Sequence, residues 1–194
     1  NDTATMSPKG PLSAARYNLA ATGARENGFV PIGPAVVSNS PVQGHNPFGY
    51  GYFYGGAAPA PGTNSRIDFS NDTATQVPAG RGVTVDPYEV GSTASQSHGY
   101  SWVSPSPNST ILERLDFAND TNSQPAIGNF SVAVRYRHGA AGNKDYGYWF
   151  GGHNNYSIIE RVDYSNDSAT TTTKGPMTAN RYATAAVGNP SFGY

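Results

Sequence analysis

Cysteine, long apolar runs and strong net charge are all missing from the 194-residue sequence. Without cysteine, the chain can form neither a disulfide framework nor a thiolate metal site. Charged residues make up 13% of the chain and its net charge is −1, so it offers no basic surface for nucleic acid or anionic lipid. No apolar run approaches the roughly 18–20 residues that span a bilayer. We therefore expect no nucleic-acid partner and no membrane insertion.

Turn-forming and aromatic residues are abundant instead. The chain contains 23 glycines, 15 prolines, 13 tyrosines and 8 phenylalanines. Glycine and proline interrupt long helices, and aromatic side chains suit the pleated, half-buried surface of a β-sheet. The length is sufficient for one domain with a sizeable core. The composition therefore favours a single domain built from many short strands.

A turn of sequence Asn-Asp followed by Thr or Ser recurs along the chain. It occurs at Asn1, Asn71, Asn119 and Asn166, at intervals of 70, 48 and 47 residues. Each of the last three copies follows a predicted strand with alternating side chains, which ends in Asp and an aromatic residue. Each copy precedes a Thr- or Ser-rich stretch, and a Gly-Tyr pair lies further on. Such self-similarity at a fixed period indicates a repeat architecture.

These recurrences predict one repeat domain over residues 1–194. Its units lie at about 1–70, 71–118, 119–165 and 166–194, and the last of them is partial. The long first interval has two explanations. Residues 23–33 resemble residues 142–152, which indicates a degenerate repeat that has lost about half its length. The alternative is a simple loop insertion of some twenty residues, although long loops are uncommon in compact domains.

The third unit and the start of the fourth carry a family resemblance in three segments. An aromatic strand ends in Gly-Gly at 148–152, a Glu-Arg-Val-Asp-Tyr strand follows at 160–164, and a Pro-Met turn leads to Asn-Arg at 176–181. This combination resembles the kelch repeat. The second unit departs from it, because it lacks the Gly-Gly pair. The amino-acid sequence of the units also resembles repeats in structural, fibre-like proteins of marine tailed phages.

The resemblance implies an all-β, kelch-like β-propeller with four-stranded blades and a period of about 47 residues. The units expected from the sequence do not make a whole number of four-stranded blades. Residues 1–2 have the sequence that follows one strand of the repeat, and residue 194 has the sequence that precedes another. We therefore expect a propeller that is either incomplete or closed by another chain.

The recurring carboxylates do not indicate catalysis, because they recur with the repeat itself. They are Asp68, Asp116 and Asp163 on the strands and Asp2, Asp72, Asp120 and Asp167 in the turns. We expect them to bond turn amides. The four histidines form no metal-ligand pair, and no Gly-x-Ser-x-Gly motif occurs. We therefore predict no catalytic residues, no metal, no cofactor and no enzymatic activity.

Aromatic and amide residues at strand ends and turns are the best candidates for a binding surface. They are Tyr50, Tyr52, Tyr54, Tyr100, Trp102, His153, Asn154, Asn155 and Tyr156. Rigid aromatic side chains beside amides make contacts at low entropic cost, and aromatic faces also stack on sugar rings. The alternative is that these aromatic residues pack between blades.

The sequence thus predicts a non-enzymatic structural or adhesive β-repeat module. We expect it on a virion or another extracellular surface, for example in a phage fibre, a tail or a capsid-associated protein. Its expected partners are other structural subunits, including copies of itself, and possible surface glycans. The alternative function is a carbohydrate-binding or carbohydrate-active propeller, either a lectin or a glycoside-acting enzyme. An intracellular kelch-type adaptor has no support in the sequence.

Overall fold

A computed structural model describes residues 20–22, 49–54, 63–71, 73–81, 91–102, 110–131, 137–153, 156–188 and 192–194. Within these residues the regular structure consists of β-strands and two short 3₁₀ turns, with no α-helix. The predicted all-β class is therefore confirmed. None of the described segments forms a helix that is long and apolar enough to cross a membrane.

The strands form three antiparallel sheets of four strands each, and in each sheet the strands are neighbours in chain order. Sheet 1 contains β1 (Ala20–Thr22), β2 (Tyr50–Tyr54), β3 (Thr63–Asp68) and β4 (Val77–Arg81). Sheet 2 contains β5 (Ser92–Ala94), β6 (His98–Trp102), β7 (Ile111–Asp116) and β8 (Ala126–Asn129). Sheet 3 contains β9 (Gly139–Gly142), β10 (Tyr146–Phe150), β11 (Ile159–Asp163) and β12 (Thr172–Lys174).

The central pair of strands has the same register in all three sheets. The cross-strand pairs are Tyr52 with Arg66, Tyr100 with Arg114, and Tyr148 with Arg161. Since a one-residue slip would move every side chain to the opposite face, this shared register places equivalent side chains at equivalent positions. The sequence repeat is therefore a repeat of three-dimensional structure.

A carboxylate caps the turn that follows the third strand of each sheet. Oδ1 of Asp116 accepts a hydrogen bond from the backbone N–H of Ala118, and Oδ1 of Asp163 accepts one from that of Ser165. Asp68 makes the same bond to the N–H of Ser70. The prediction that the strand carboxylates bond turn amides is confirmed for these three residues.

The sheets lie side by side, with their first strands adjacent. Strand β1 contacts β5, and β5 in turn contacts β9. Two apolar clusters fill the spaces between the sheets, one around Tyr52 and Phe117 and a larger one around Trp102 and Trp149. The three sheets do not close into a ring within the described residues, so the propeller stays a prediction.

The long first interval falls inside one hairpin of sheet 1. Strands β1 and β2 pair directly, with Ala20 opposite Tyr54 and Thr22 opposite Tyr52. The additional residues therefore connect two neighbouring strands of one sheet, which favours the loop insertion over the half-deleted repeat. Residues 23–33, which resemble residues 142–152 in sequence, lie outside the described residues.

After sheet 3 the chain begins a further unit. Ala183 has a positive φ of 53°, and Arg137 has a φ of 59° at the equivalent position before β9. Gly188 and Gly193 form an antiparallel bridge, and the backbones of Val187 and Tyr194 exchange two hydrogen bonds of 3.0 and 2.8 Å. These contacts repeat the start of the hairpin between β9 and β10. We call residues 183–194 the fourth hairpin.

Candidate functional site

Three of the nine predicted contact residues are buried between sheets. Tyr52 and Tyr100 are each 1% exposed and Trp102 is fully buried, so the expectation that they form an exposed surface is wrong. The physical reason is that a neighbouring sheet covers the face on which they lie. The ring of Tyr52 stacks on Phe117 at 4.9 Å between centroids, and the ring of Tyr100 stacks on Tyr164 at 4.8 Å. These three residues instead pack between units, which was the alternative interpretation of the sequence.

The other predicted residues do not gather at one place. Tyr50, His153 and Tyr156 are half-buried, and they lie in sheet 1 and in the segment after β10. The guanidinium of Arg66 lies 4.3 Å from the centre of the Tyr50 ring. The side chain of Tyr54, together with Asn154 and Asn155, lies outside the described residues. The structure thus distributes the predicted residues over three sheets rather than forming one binding surface.

The turn carboxylates join one sheet to the next. Oδ2 of Asp120 accepts hydrogen bonds from the hydroxyl of Tyr52 at 2.8 Å and from Nη1 of Arg66 at 2.5 Å. Asp120 follows the third strand of sheet 2, whereas Tyr52 and Arg66 belong to sheet 1. We predicted turn amides as its partners, and that prediction is corrected here, since these bonds reach side chains of the preceding sheet.

The same contact recurs between sheets 2 and 3. Asp167 accepts hydrogen bonds from the hydroxyl of Tyr100 at 2.9 Å and from Nη1 of Arg114 at 2.9 Å. We call each set of Tyr, Arg and Asp a sheet-joining triad. Two triads at equivalent positions show that the repeated charges serve the packing of units against each other.

The electrostatics of the triads suit hydrogen bonding rather than proton transfer. Burial raises the pKa of Tyr100, and the negative charge of Asp167 raises it further. Partial burial opposes the charge on Arg66, but the hydrogen bond and the charge of Asp120 raise the pKa of its guanidinium. The tyrosine therefore stays neutral and the arginine stays charged at neutral pH. Both act as donors to the carboxylate.

A buried carboxylate in sheet 3 is also bonded to its surroundings. Glu160 is fully buried, and its Oε1 accepts hydrogen bonds from Thr171 Oγ1 at 2.7 Å and from the N–H and Oγ of Ser131 at 2.7 and 2.6 Å. Ser131 follows β8, so its bonds connect the third strand of sheet 3 to the segment after sheet 2. Since buried polar groups require such partners, these hydrogen bonds account for the burial of Glu160.

Two polar pockets of similar size lie at matching places among the described residues. One, of about 210 Å³, lies in sheet 1 beside Tyr50, Arg66 and Gln76. The other, of about 200 Å³, lies in sheet 2 beside His98 and Gln124, at the same place in the repeat. We call them the glutamine pockets. The sequence analysis missed them, although glutamines 48 residues apart in equivalent units were a usable signal.

The glutamine pockets contain buried amide groups that need polar partners. Gln124 is 1% exposed, and neither its Oε1 nor its Nε2 has a hydrogen-bond partner among the described residues. The Oε1 of Gln76 has none there either. An unpaired buried polar group costs about 1–3 kcal/mol. At roughly 30 Å³ for each water, a pocket of this size holds several waters or one small polar ring.

His98 completes the chemistry of the pocket in sheet 2. Burial lowers the pKa of its imidazole, and the charge of Arg114 lowers it further. The ring is therefore neutral at pH 7, with Nδ1 within 2.8 Å of the Ser97 hydroxyl. Within the described part of the chain, no three His, Asp or Glu side chains form a cluster that could hold a metal ion.

No protein-family model matches the chain, and a search of curated proteins finds no significant match.

Proposed function

We propose that the chain is a non-enzymatic structural and adhesive β-repeat module with the architecture of a kelch-like propeller. The observation that carries this proposal is the sheet-joining triad, which uses the recurring Tyr, Arg and Asp to attach each unit to the next. A repeat in which the conspicuous charged residues bind one another is suited to building an array rather than to processing a substrate.

The arrangement of the sheets supports the propeller part of the proposal. Each unit is a four-stranded antiparallel meander, and the first strands of neighbouring units are adjacent. Propeller blades have this strand number and pack by their first strands around an axis. The continuation of the pattern into the fourth hairpin extends the array beyond the three complete sheets.

The exposed apolar residues of the fourth hairpin support assembly with other subunits. Val187, Phe192 and Tyr194 are 68%, 65% and 69% exposed. Clustered exposed apolar groups indicate an interaction surface. The proposed partners are copies of this chain or other structural subunits. The proposed location is a virion or cell exterior, where a neutral surface rich in amides and hydroxyls resists nonspecific charge interactions.

The experiment that tests this function measures the oligomeric state and glycan binding of the purified chain. We expect stable homo-oligomers in light scattering after size-exclusion chromatography, and we expect Phe192→Ser with Tyr194→Ser to dissociate them. Val77→Ser, which changes an exposed residue of sheet 1, is the matched control and should leave the oligomer intact. A strictly monomeric chain that binds glycans on an array would contradict the structural function and support the alternative.

The glutamine pockets favour a carbohydrate-binding module as the second candidate function. Each pocket combines a buried amide with an aromatic or imidazole ring and a carboxylate, which are the groups that bind sugar hydroxyls and ring faces. Gln124→Leu replaces the amide that lines the pocket with a side chain of similar size that cannot form hydrogen bonds. This variant should weaken glycan binding if the pocket is a sugar site, whereas Val187→Ser, a change at an exposed residue outside both glutamine pockets, should retain it.

A further inference from the structure

The glutamine pocket of sheet 2 lies at the end of the sheet where β5 turns into β6 and β7 turns towards β8. Asn119, Asn122 and Ser123 belong to the second of these turns, line the pocket and are exposed. His98 and Arg114 line the pocket as well. Amide, hydroxyl, imidazole and guanidinium groups thus offer hydrogen-bond donors and acceptors around one small volume.

A larger cleft of about 440 Å³ adjoins this pocket where sheet 2 meets sheet 3. His98 and Arg114 line both volumes, so the pocket and the cleft are adjacent. The cleft is further lined by residues 95–97 of the hairpin between β5 and β6, by Lys144 and Asp145 of the hairpin between β9 and β10, and by Tyr164, Ser165 and Asp167. We call the two volumes the paired site, in which the glutamine pocket is the first subsite and the cleft is the second.

Gln124 gives the first subsite an amide that lacks hydrogen bonds. Its side chain lines the pocket, and its Oε1 and Nε2 are both buried without a partner among the described residues. In the sheet 1 pocket, Oε1 is the one atom of the Gln76 amide in this condition. A carboxamide presents an acceptor and a donor side by side, whereas each sugar hydroxyl can both donate and accept. Two adjacent hydroxyls of one sugar can therefore satisfy the whole amide of Gln124.

The charges of the paired site favour a neutral ligand. Nη1 of Arg114 donates to Asp167 at 2.9 Å, and Nζ of Lys144 lies 2.8 Å from a carboxylate oxygen of Asp145. Both cations that line the site are thus already paired with carboxylates. A phosphate, sulfate or carboxylate group would find no unpaired cation among the described residues of the site. Neutral hydroxyls, in contrast, can bond to the charged and to the uncharged groups alike.

We propose that the paired site binds a neutral oligosaccharide, with two adjacent hydroxyls of one sugar on the Gln124 amide and the next sugar in the second subsite. A volume of about 200 Å³ suits a single sugar ring, and the adjoining cleft is large enough for another. Such binding rests on the carbohydrate-binding function that is the second candidate above. It specifies the ligand as neutral, bearing adjacent hydroxyls and longer than one sugar.

Glycan binding by the full chain tests the proposal. The probes are a printed array of neutral, sialylated and sulfated glycans, followed by calorimetric titration with each neutral glycan that binds and with its monosaccharide. We expect neutral oligosaccharides to bind more tightly than their monosaccharides, because only the longer ligands fill both subsites. Sialylated or sulfated forms should bind no better than the neutral parent glycan, because the cations of the site are already paired.

Variants of each subsite locate the binding. Gln124→Leu should weaken the affinity for the oligosaccharide by roughly tenfold or more, because the sugar hydroxyls lose the amide. Its Tm should not fall, since the change removes a buried amide that has no partner among the described residues. Gln96→Ala with Lys144→Ala changes two exposed residues of the second subsite. This double variant should abolish the advantage of the oligosaccharide over the monosaccharide and leave the affinity for the monosaccharide unchanged.

The matched control is Gln76→Leu, which makes the same change in the sheet 1 pocket and should leave the affinity for the oligosaccharide unchanged. If no neutral glycan binds, the paired site and the carbohydrate-binding function are both wrong. If glycans bind but Gln124→Leu leaves their affinity unchanged, the function stands and the paired site is wrong. Equal affinities for monosaccharide and oligosaccharide, or tighter binding of the acidic forms, would likewise overturn the proposal.

Discussion

The contact between sheets 1 and 2 and the contact between sheets 2 and 3 have the same polar residues but different apolar ones. Each contains one triad, built on Asp120 in the first case and on Asp167 in the second. The first contact buries a small cluster around Tyr52 and Phe117. The second buries a larger cluster that includes two tryptophans. The triad thus fixes how units align, whereas the apolar residues decide how strongly they adhere.

Trp149 accounts for much of the difference between the two contacts. It is fully buried, its indole N–H donates to the carbonyl of Gly91 at 3.0 Å, and its ring meets Phe130 edge-on at 5.1 Å. The equivalent position in sheet 2 is Ser101, opposite Glu113 as Trp149 is opposite Glu160. A large aromatic residue therefore fills the space between sheets 2 and 3 where the preceding unit has a small hydroxyl.

The largest expected effect comes from Trp149→Ala. Truncating a fully buried aromatic side chain costs about 3–5 kcal/mol, and here it also leaves the Gly91 carbonyl without its donor. The free energy of unfolding from urea titration measures the loss. Phe117→Ala is the comparison variant, because Phe117 is a buried aromatic residue of the smaller cluster between sheets 1 and 2. Equal losses for the two variants would refute the unequal strength of the two contacts.

The middle effect comes from Asp120→Asn and Asp167→Asn, which remove the acceptor charge from one triad each. We expect each to cost about 1–3 kcal/mol, because a partly buried arginine loses its charged partner. The two losses should be similar, since the triads have the same donors and closely similar distances. Urea unfolding at low and high salt measures them. A loss for Asp167→Asn as large as that of Trp149→Ala would contradict the division between alignment and adhesion.

Local pattern made part of this architecture predictable from the sequence. The strand at Ile159–Asp163 and the capping carboxylate Asp163 follow from period-two alternation and from the turn that comes after it. The burial of Trp102 does not follow, because alternation shows which residues share a face and not whether another sheet covers it. The hydrogen-bond partners of Asp167 do not follow either, because they depend on the register of a different unit, in which Tyr100 and Arg114 are opposite each other.

The same limit applies to the candidate site. Tyr52, Tyr100 and Trp102 were predicted to form a binding surface but are packing residues, since a tyrosine or tryptophan at a strand end serves equally in both roles. The glutamine pockets were missed because nothing in one sequence distinguishes an amide that faces solvent from one that is buried. Only the fold shows that Gln124 has no partner among the described residues.

The smallest expected effect concerns the turn that carries Asp167 into its contact. Asp163 accepts hydrogen bonds from both the Oγ and the N–H of Ser165 at 2.7 and 2.9 Å, and these bonds lower its pKa. Asp116, which caps the turn before Asp120, accepts from the N–H of Ala118, a residue with no hydroxyl. The Ser165 hydroxyl therefore gives the turn before Asp167 a hydrogen bond that the turn before Asp120 lacks.

Ser165→Ala should raise the pKa of Asp163 towards its ordinary value. Because the folded-state pKa is below the unfolded one, the stabilisation is present above an unfolded pKa of about 3.9 and is lost as the pH falls through the folded value. The variant should thus be slightly less stable than the parent at pH 7, and the difference should vanish in acid. NMR titration of the Asp163 carboxyl and thermal unfolding at both pH values measure this. Ser70→Ala, which removes the same bond to Asp68 in sheet 1, is the matched control. A difference that grows on acidification would show that the hydroxyl stabilises the turn by another route.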